Sequence, residues 1–304
     1  MLALIVNPSS GGGRAGAAVA AVSERLREHG LEHHVAIVES LEQACEAARA
    51  AGGAGETAVA LGGDGLVGAL AGALRQSDGV LGVLPGGRGN DFARVLGIPL
   101  DPVAACEVLR TGSVRRLDLG VVGERTFVGI ASCGFDSDAN RIANATRLVR
   151  GNLVYAYGGL RALLRWKPAR FDVLLDGSTV TMIGYTVAIA NSAVYGGGML
   201  IAPDAALDDG QLDVVLIGAM PRLRFLLALP KVFRGEHVKL PTVRVIRARA
   251  VEVSADRAFT MYADGEPVAE LPLKVTVEPA AVRVLVPSRH VPVPLGGAAV
   301  GSDR

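Results

Sequence analysis

Three glycine-rich segments carry the residue types best suited to chemistry in this chain. They are Asn7-Pro8-Ser9-Ser10-Gly11-Gly12-Gly13-Arg14, Gly62-Gly63-Asp64-Gly65 and Pro85-Gly86-Gly87-Arg88-Gly89-Asn90-Asp91. Each follows a short apolar run and precedes a stretch with helical spacing. A helix N-terminus presents unpaired N–H groups and a partial positive charge, and glycine lets the backbone approach a phosphate closely. One such turn closes many ordinary strand–helix units. Three together, one with Asp64 and another with Asn90 and Asp91, point to a polyphosphate held with a metal ion. None is a standard phosphate loop: there is no GxxxxGK[ST], and no GxGxxG follows the first strand. Neither a Walker-type NTPase nor a dinucleotide site is indicated.

The elements that must position these turns alternate. Strands are predicted at Leu2–Val6, Val35–Val38, Thr57–Leu61 and Val80–Leu84, and helices at Ala15–His29, Leu41–Ala51, Leu66–Leu74 and Phe92–Leu96. That order implies an α/β domain on a parallel sheet with right-handed crossovers. Ligands of such sheets bind beyond the carboxyl ends of the strands, where all three turns fall. After Leu117 the texture changes to short alternating or apolar runs, separated by turns such as Asp176-Gly177, Asp209-Gly210 and Asp264-Gly265. An antiparallel β-sandwich is expected there, interrupted by helices over Leu153–Trp166 and Leu223–Phe233. The expected plan is a nucleotide-binding domain over 1–118, a sandwich domain over 119–286, and a tail over 287–304, loose at its end and able to return to the first domain.

Composition narrows the partners. Among 304 residues, 31 basic side chains balance 30 acidic ones and only 4% are aromatic, so neither a positive field nor a stacking platform for nucleic acid is present. The cysteines (Cys45, Cys106, Cys133) are isolated and the five histidines scattered. That disfavours a disulfide framework or a zinc site and suits a reducing, cytoplasmic compartment. The opening MLALIVNP lacks a basic lead and reads as a strand rather than a signal peptide. Polar residues, glycine or proline interrupt each apolar stretch before it could span a bilayer, so a soluble protein with at most peripheral membrane contact is expected.

The segments NPSSGGG (7–13), GGDG (62–65), LPGGRGNDFAR (84–94), YGGGMLIAPDAALDDGQLDVVLI (195–217) and ADGE (263–266) resemble, in order, the lipid kinase family typified by diacylglycerol kinase catalytic domains, with sphingosine and ceramide kinases as cousins. The resemblance implies a Rossmann-like N-terminal domain of the NAD kinase and diacylglycerol kinase type, a C-terminal β-sandwich, and a cleft between them. It implies ATP and Mg²⁺ as cofactors and a lipid hydroxyl as acceptor. Asn7, Ser9 and Gly11, then Gly62, Gly63, Asp64 and Gly65, then Gly87, Arg88, Asn90 and Asp91 would hold the nucleotide. Asp64 would organise the ATP-bound Mg²⁺, with Asp91 as helper, and Glu266 would be the general base. A second, structural cation would sit in the loop of Ala206, Asp209 and Gln211, through the Asp209 carboxylate and the backbone carbonyls of the other two. These roles suit the chemistry, because phosphoryl transfer needs positioning and charge stabilisation, and an alcohol attacks well only when a carboxylate accepts its proton.

Two positions depart from the family pattern. Leu66 follows GGDG where the family often has threonine, and Arg88 replaces the threonine of the third loop. A guanidinium at Arg88 could pair with phosphate; alternatively the site is weakened, and the chain is a lipid- or nucleotide-binding protein. A kinase with a soluble acceptor, like NAD kinase, is the other alternative. Two stretches combine leucines with cations: Leu160–Lys167, and Leu223–Phe233 with Arg222, Arg224, Lys231 and Arg234 about it. Each could lie on an anionic bilayer, although packing on the sandwich with snorkelling cations is the commoner arrangement. Exposed sandwich edges are also compatible with a homodimer.

Overall fold

The structure, a computed structural model, describes residues 1–135, 137–138, 163 and 166–288. Leu153–Trp166, Leu160–Lys167 and the tail over 287–304 therefore lie largely outside the described residues. The chain opens on β1 (Leu2–Val6), whose five apolar residues are all buried, as befits a strand covered on both faces. It pairs in parallel with β2 (His33–Ile37) on one side and β3 (Thr57–Gly62) on the other, and β3 pairs in parallel with β4 (Val80–Pro85). The crossovers are α1 (Ser10–Glu28), α2 (Leu41–Gly53) and α3 (Asp64–Ala73). After β4 come α4 (Asp91–Leu96) and α5 (Pro102–Thr111). The predicted strand–helix alternation is what forms.

Two long strands carry the chain into the second layer: β5 (Ser113–Val122) and, at the far end of the sequence, β17 (Leu273–Val286). They run antiparallel to each other from Ser113↔Val286 to Val122↔Val275. At Arg283 and Val284, β17 also joins β4 in parallel. Ala281, Val282, Val284 and Val286 pack in the first core with Leu117 and Leu119, whereas Val122 and Val275 pack in the second. One strand pair thus belongs to both domains and fixes their relative placement.

Between these strands lie β6 (Arg125–Phe127), β7 (Ile130–Gly134), β8 (Ala169–Leu175), β9 (Ser178–Ala190), β10 (Val194–Tyr195), β11 (Met199–Leu200) and β12 (Leu212–Gly218). They are followed by α6 (Arg222–Val232), a single-turn 3₁₀ helix at Glu236–Lys239, β13 (Val243–Ala248), β14 (Ala250–Ala255), β15 (Thr260–Ala263) and β16 (Glu266–Glu270). The pairings within this set are antiparallel, in the order β16-β15-β7-β9-β8-β14-β17, with β12 and β13 added on β9. The β8–β9 turn shows why Asp-Gly closes a hairpin: Asp176 and Gly177 both take positive φ, 45° and 91°, as a type I′ turn requires.

The domains meet along α3. Gly68 and Gly72 stand one and two turns past Asp64 and share its face. A Cβ on Gly72 would be 2.3 Å from Thr126 Oγ1, and one on Gly68 would be 3.3 Å from Asp264 Oδ2. Small residues here let β6 and the β15–β16 turn seat directly on the helix. α6 is held differently. Phe225 stacks on Tyr185 at 4.1 Å between ring centroids, and Arg222 donates to the Trp166 carbonyl at 2.8 Å, but the helix leucines face outward.

Candidate functional site

Three loops of the first domain converge backbone against backbone. Gly11, Gly12 and Gly13 all have positive φ (65°, 76° and 95°), which turns the chain back before α1 begins in earnest. A side chain on Gly11 would strike the Gly86 carbonyl, 2.3 Å from its Cβ position. The Gly86 amide donates to the Gly62 carbonyl at 2.7 Å. A Cβ on Gly87 would stand 2.4 Å from the α-carbon of Gly63. The Asn7 side chain accepts from both the amide and the hydroxyl of Ser9, at 3.1 and 2.7 Å, which braces the first loop. Asn90, itself at φ 55°, exchanges two hydrogen bonds with the backbone of Gly87. Asn7, Ser9, Gly11, Gly62, Gly63, Gly65, Gly87 and Asn90 thus lie in one cluster of loops.

The two acids expected here flank Gly89. A Cβ on that glycine would be 3.1 Å from Asp64 Oδ2 and 3.4 Å from Asp91 Oδ2. Asp64 Oδ1 accepts from the Phe92 amide at 3.1 Å. Asp91 is buried, and Oδ2 accepts from the Gly197 amide at 2.7 Å. Gly197 belongs to the β10–β11 turn of the second domain, so this contact joins the two domains. Asp91 Oδ1 is buried with no hydrogen-bond partner, and the Arg94 guanidinium stands 3.9 Å away. Burial pushes the Asp91 carboxyl up to about 6, with the negative charge of Asp64 adding to the rise against the Gly197 bond. A buried, unpaired carboxylate oxygen beside a second carboxylate suits a hard cation. Among the described residues no group of three His, Cys, Asp or Glu side chains forms a ready cation cage. Mg²⁺ commonly binds through one or two carboxylates plus substrate phosphates, so this donor set fits it.

Arg88 is exposed and makes no ion pair among the described residues. Its guanidinium lies 3.7 Å from the Cβ position of Gly12, so it reaches from the third loop to the first. Leu66, the other departure, is 4% exposed and packs in the first core beneath Gly62. Its side chain packs against the second loop, with Cδ2 2.7 Å from the Cβ position of Gly62.

Glu266 enters from the second domain. Asp264 and Gly265, at φ 49° and 86°, form another two-residue turn between β15 and β16, and Glu266 is the first residue after it. Glu266 is exposed and has no hydrogen-bond partner among the described residues. Its turn, however, is rigidly held. Asp264 Oδ2 accepts from the Val128 amide at 2.9 Å, and Oδ1 from Gly129 and Ile130 at 2.9 and 3.1 Å. Desolvation raises the Asp264 carboxyl to about 6 despite those three amides, and Asp64 contributes to the rise. The Gly68 contact puts the turn that precedes Glu266 against the face of α3 that begins at Asp64.

Ala206, Asp209 and Gln211 share one loop. Asp209 Oδ1 accepts from the Gln211 amide at 3.0 Å, and Oδ2 stands 3.9 Å from Arg247. The loop is tied to the domain junction by Asp118, only 3% exposed, which accepts from the amides of Gly210 and Ala280, both at 2.7 Å. Asn191, fully buried, donates to the carbonyls of Asp118 and Val128 at 3.0 and 3.1 Å. Its own amide and that of Ser192 donate to Gly129. Asp118, Asn191 and Gly129 therefore link the 206–211 loop to Asp264. Sequence reasoning assigned no role to Asp118, Asn191, Gly197 or Asp264. Only the Tyr195-Gly196-Gly197-Gly198 run and the Asp-Gly turn marked two of them.

Residues 1–122 match the family model described as diacylglycerol kinase catalytic domain, and residues 129–286 match the YegS C-terminal NAD kinase beta sandwich-like domain. The chain is 35% identical to a diacylglycerol kinase of Mycobacterium tuberculosis over 94% of both chains. It is 30% identical to a YegS-like lipid kinase of Chromohalobacter salexigens over 86% of both. Among solved structures, a diacylglycerol kinase of Bacillus anthracis superposes with a TM-score of 0.73 at 17% identity, covering 94% of this chain and 97% of that one, which speaks to the fold alone.

Proposed function

Because this chain belongs to the diacylglycerol kinase catalytic-domain family, we propose that it is an ATP-dependent kinase acting on a hydroxyl of diacylglycerol or a related lipid. The observation that carries this reading is the seating of the Asp264-Gly265-Glu266 turn on the α3 face that starts at Asp64. The turn that carries Glu266 is thereby packed on the helix that begins at Asp64 of the other domain.

The backbone of the three glycine loops would hold the phosphates, with Arg88 reaching across them. Asp64 and Asp91, whose Oδ2 atoms both flank Gly89, would hold Mg²⁺. When bound, that ion neutralises charge on the phosphate oxygens. Glu266, exposed and unengaged, would accept the acceptor's hydroxyl proton as the oxygen attacks. The amides around Asp264 keep that carboxylate's backbone from drifting, which matters because misplacement of a catalytic group costs rate steeply.

The test is incubation of purified protein with Mg²⁺, labelled ATP and a total lipid extract, read by mass spectrometry, with NAD as a parallel soluble acceptor. Label should enter a lipid and not NAD. Glu266→Ala should lower turnover by about 10²- to 10⁴-fold while ATP still binds. A variant that keeps most of its turnover removes Glu266 as the base, and label in NAD alone removes the lipid acceptor.

A further inference from the structure

α6 is amphipathic in the reverse of the usual sense. A helix on a protein surface ordinarily buries its leucines and exposes its charges. Here Phe225 and Val232 form the buried stripe, and Phe225 anchors the helix on Tyr185 and Phe135. Leu223 and Leu227 are 68% and 67% exposed, and Leu226, Leu229 and Phe233 are each more than a third exposed. At 3.6 residues per turn these five side chains make one continuous outer ridge. Isolated exposed leucines need no explanation, but a contiguous apolar ridge marks an interaction surface.

The charges beside the ridge identify the occupant. Arg224 and Lys231 fall together on one flank of it, and Arg234 follows just past the helix end. None of the three forms an ion pair among the described residues. Between Ala219 and Gly235 there is no acidic residue, although basic and acidic residues are almost equal over the whole chain. A leucine ridge bordered by unpaired cations is complementary to a surface with an apolar interior and anionic head groups. We infer that α6 is a docking helix that lies in the interface of an anionic bilayer, with its leucines among the acyl chains and Arg224, Lys231 and Arg234 at the phosphates. Phe135, which α6 covers, follows β7, and β7 pairs with the β15 strand of the Glu266 hairpin. Docking through α6 therefore bears on the acceptor-side layer of the protein.

The experiment is sedimentation of the full chain with phosphatidylcholine vesicles, alone or mixed with phosphatidylglycerol. Two double variants are compared with the wild type: Leu223→Ser with Leu227→Ser, and Arg224→Glu with Lys231→Glu. Their thermal melts are recorded alongside. The wild type should bind the anionic vesicles about tenfold better than the neutral ones, less so at high salt. Each variant should lose about tenfold of that binding with an unchanged melt, while phosphorylating a water-soluble short-chain diacylglycerol as well as the wild type. Equal binding to both vesicle types, or variants that bind like the wild type, overturns the inference. So does a wild type that ignores vesicles but forms a dimer that the leucine variant breaks, since the ridge would then be covered by a second copy. Vesicle binding without any phosphorylation of the short-chain lipid keeps the docking helix and removes the kinase reading instead.

Discussion

The carboxylate of Asp264 receives the amide of Gly129 at 2.9 Å across the boundary between the Glu266 hairpin and the β6–β7 connection. The same oxygen takes Ile130, and the other takes Val128. Three donors on one carboxylate leave no position for a group that must itself donate. Gly129 in turn accepts from Asn191 and Ser192, so the hairpin that carries Glu266 is joined by hydrogen bonds to Asp118 at the domain junction.

Replacing Asp264 by asparagine should therefore be costly although the shape is kept, because an NH₂ group would face the backbone amides. The expected loss of stability is about 2 kcal/mol, read from denaturant unfolding. Turnover should fall more than the KM for ATP rises, because the change displaces Glu266 and leaves the glycine loops alone. A variant with wild-type turnover would show that the three amides do not position the base.

The pH dependence of stability follows from the two raised carboxyls. The carboxyls of Asp91 and Asp264 are raised from an ordinary value of 3.8 to about 6 in the folded chain. The folded state then holds protons that the unfolded state has released, so their contribution to stability falls as pH rises from about 4 to about 6. Asp172 and Asp176, held low by hydrogen bonds to Thr181 and to the Arg249 amide, lose stability as pH falls. The difference between wild type and Asp91→Asn isolates the first effect. Relative to that variant, the Mg²⁺-free wild type should gain melting temperature on acidification from pH 6 to pH 4.

Gly87 tests the loop cluster. Alanine there would put a Cβ 2.4 Å from the Gly63 α-carbon and 2.9 Å from Asn90 Oδ1, and backbone cannot yield as a flexible side chain does. Gly87→Ala should destabilise the protein by about 1–3 kcal/mol and raise the KM for ATP. The KM for lipid should change little. Thermal melts and initial-rate kinetics separate the two effects.

Arg88 decides between a phosphate partner and an obstruction. Its guanidinium lies over Gly12 with no protein partner among the described residues. Arg88→Ala should raise the KM for ATP by about tenfold, in line with the loss of a charge-assisted contact. Faster turnover in the variant would mean that Arg88 obstructs the site.

How much was legible in the sequence varied with how local the cause is. The Asp264-Gly265 turn, the Gly11–Gly13 bend and the β1–α3 alternation rest on φ preferences and apolar spacing within a few residues, and they form as read. The reading passes over α5, although Asp101 accepting the Ala104 amide and Pro102 in the first turn make a well-defined start. It also divides β17 in two, because Glu278 to Ala280 interrupt the apolar run. The structure carries the strand through that interruption with a shift in register, since both halves find partners on β5.

By itself, the sequence determined where the backbone could bend tightly enough for phosphates and which acids stood beside those bends, because glycine conformations and strand–helix periodicity are short-range properties. Only the tertiary structure decided that Gly63 lies against Gly87, that Gly197 of the second domain donates to Asp91, that Asp264 is taken up by three amides, and that α6 turns its leucines outward. Those outcomes depend on contacts between residues tens to more than a hundred positions apart. The contacts between the domains arise because β17 pairs with both β5 and β4.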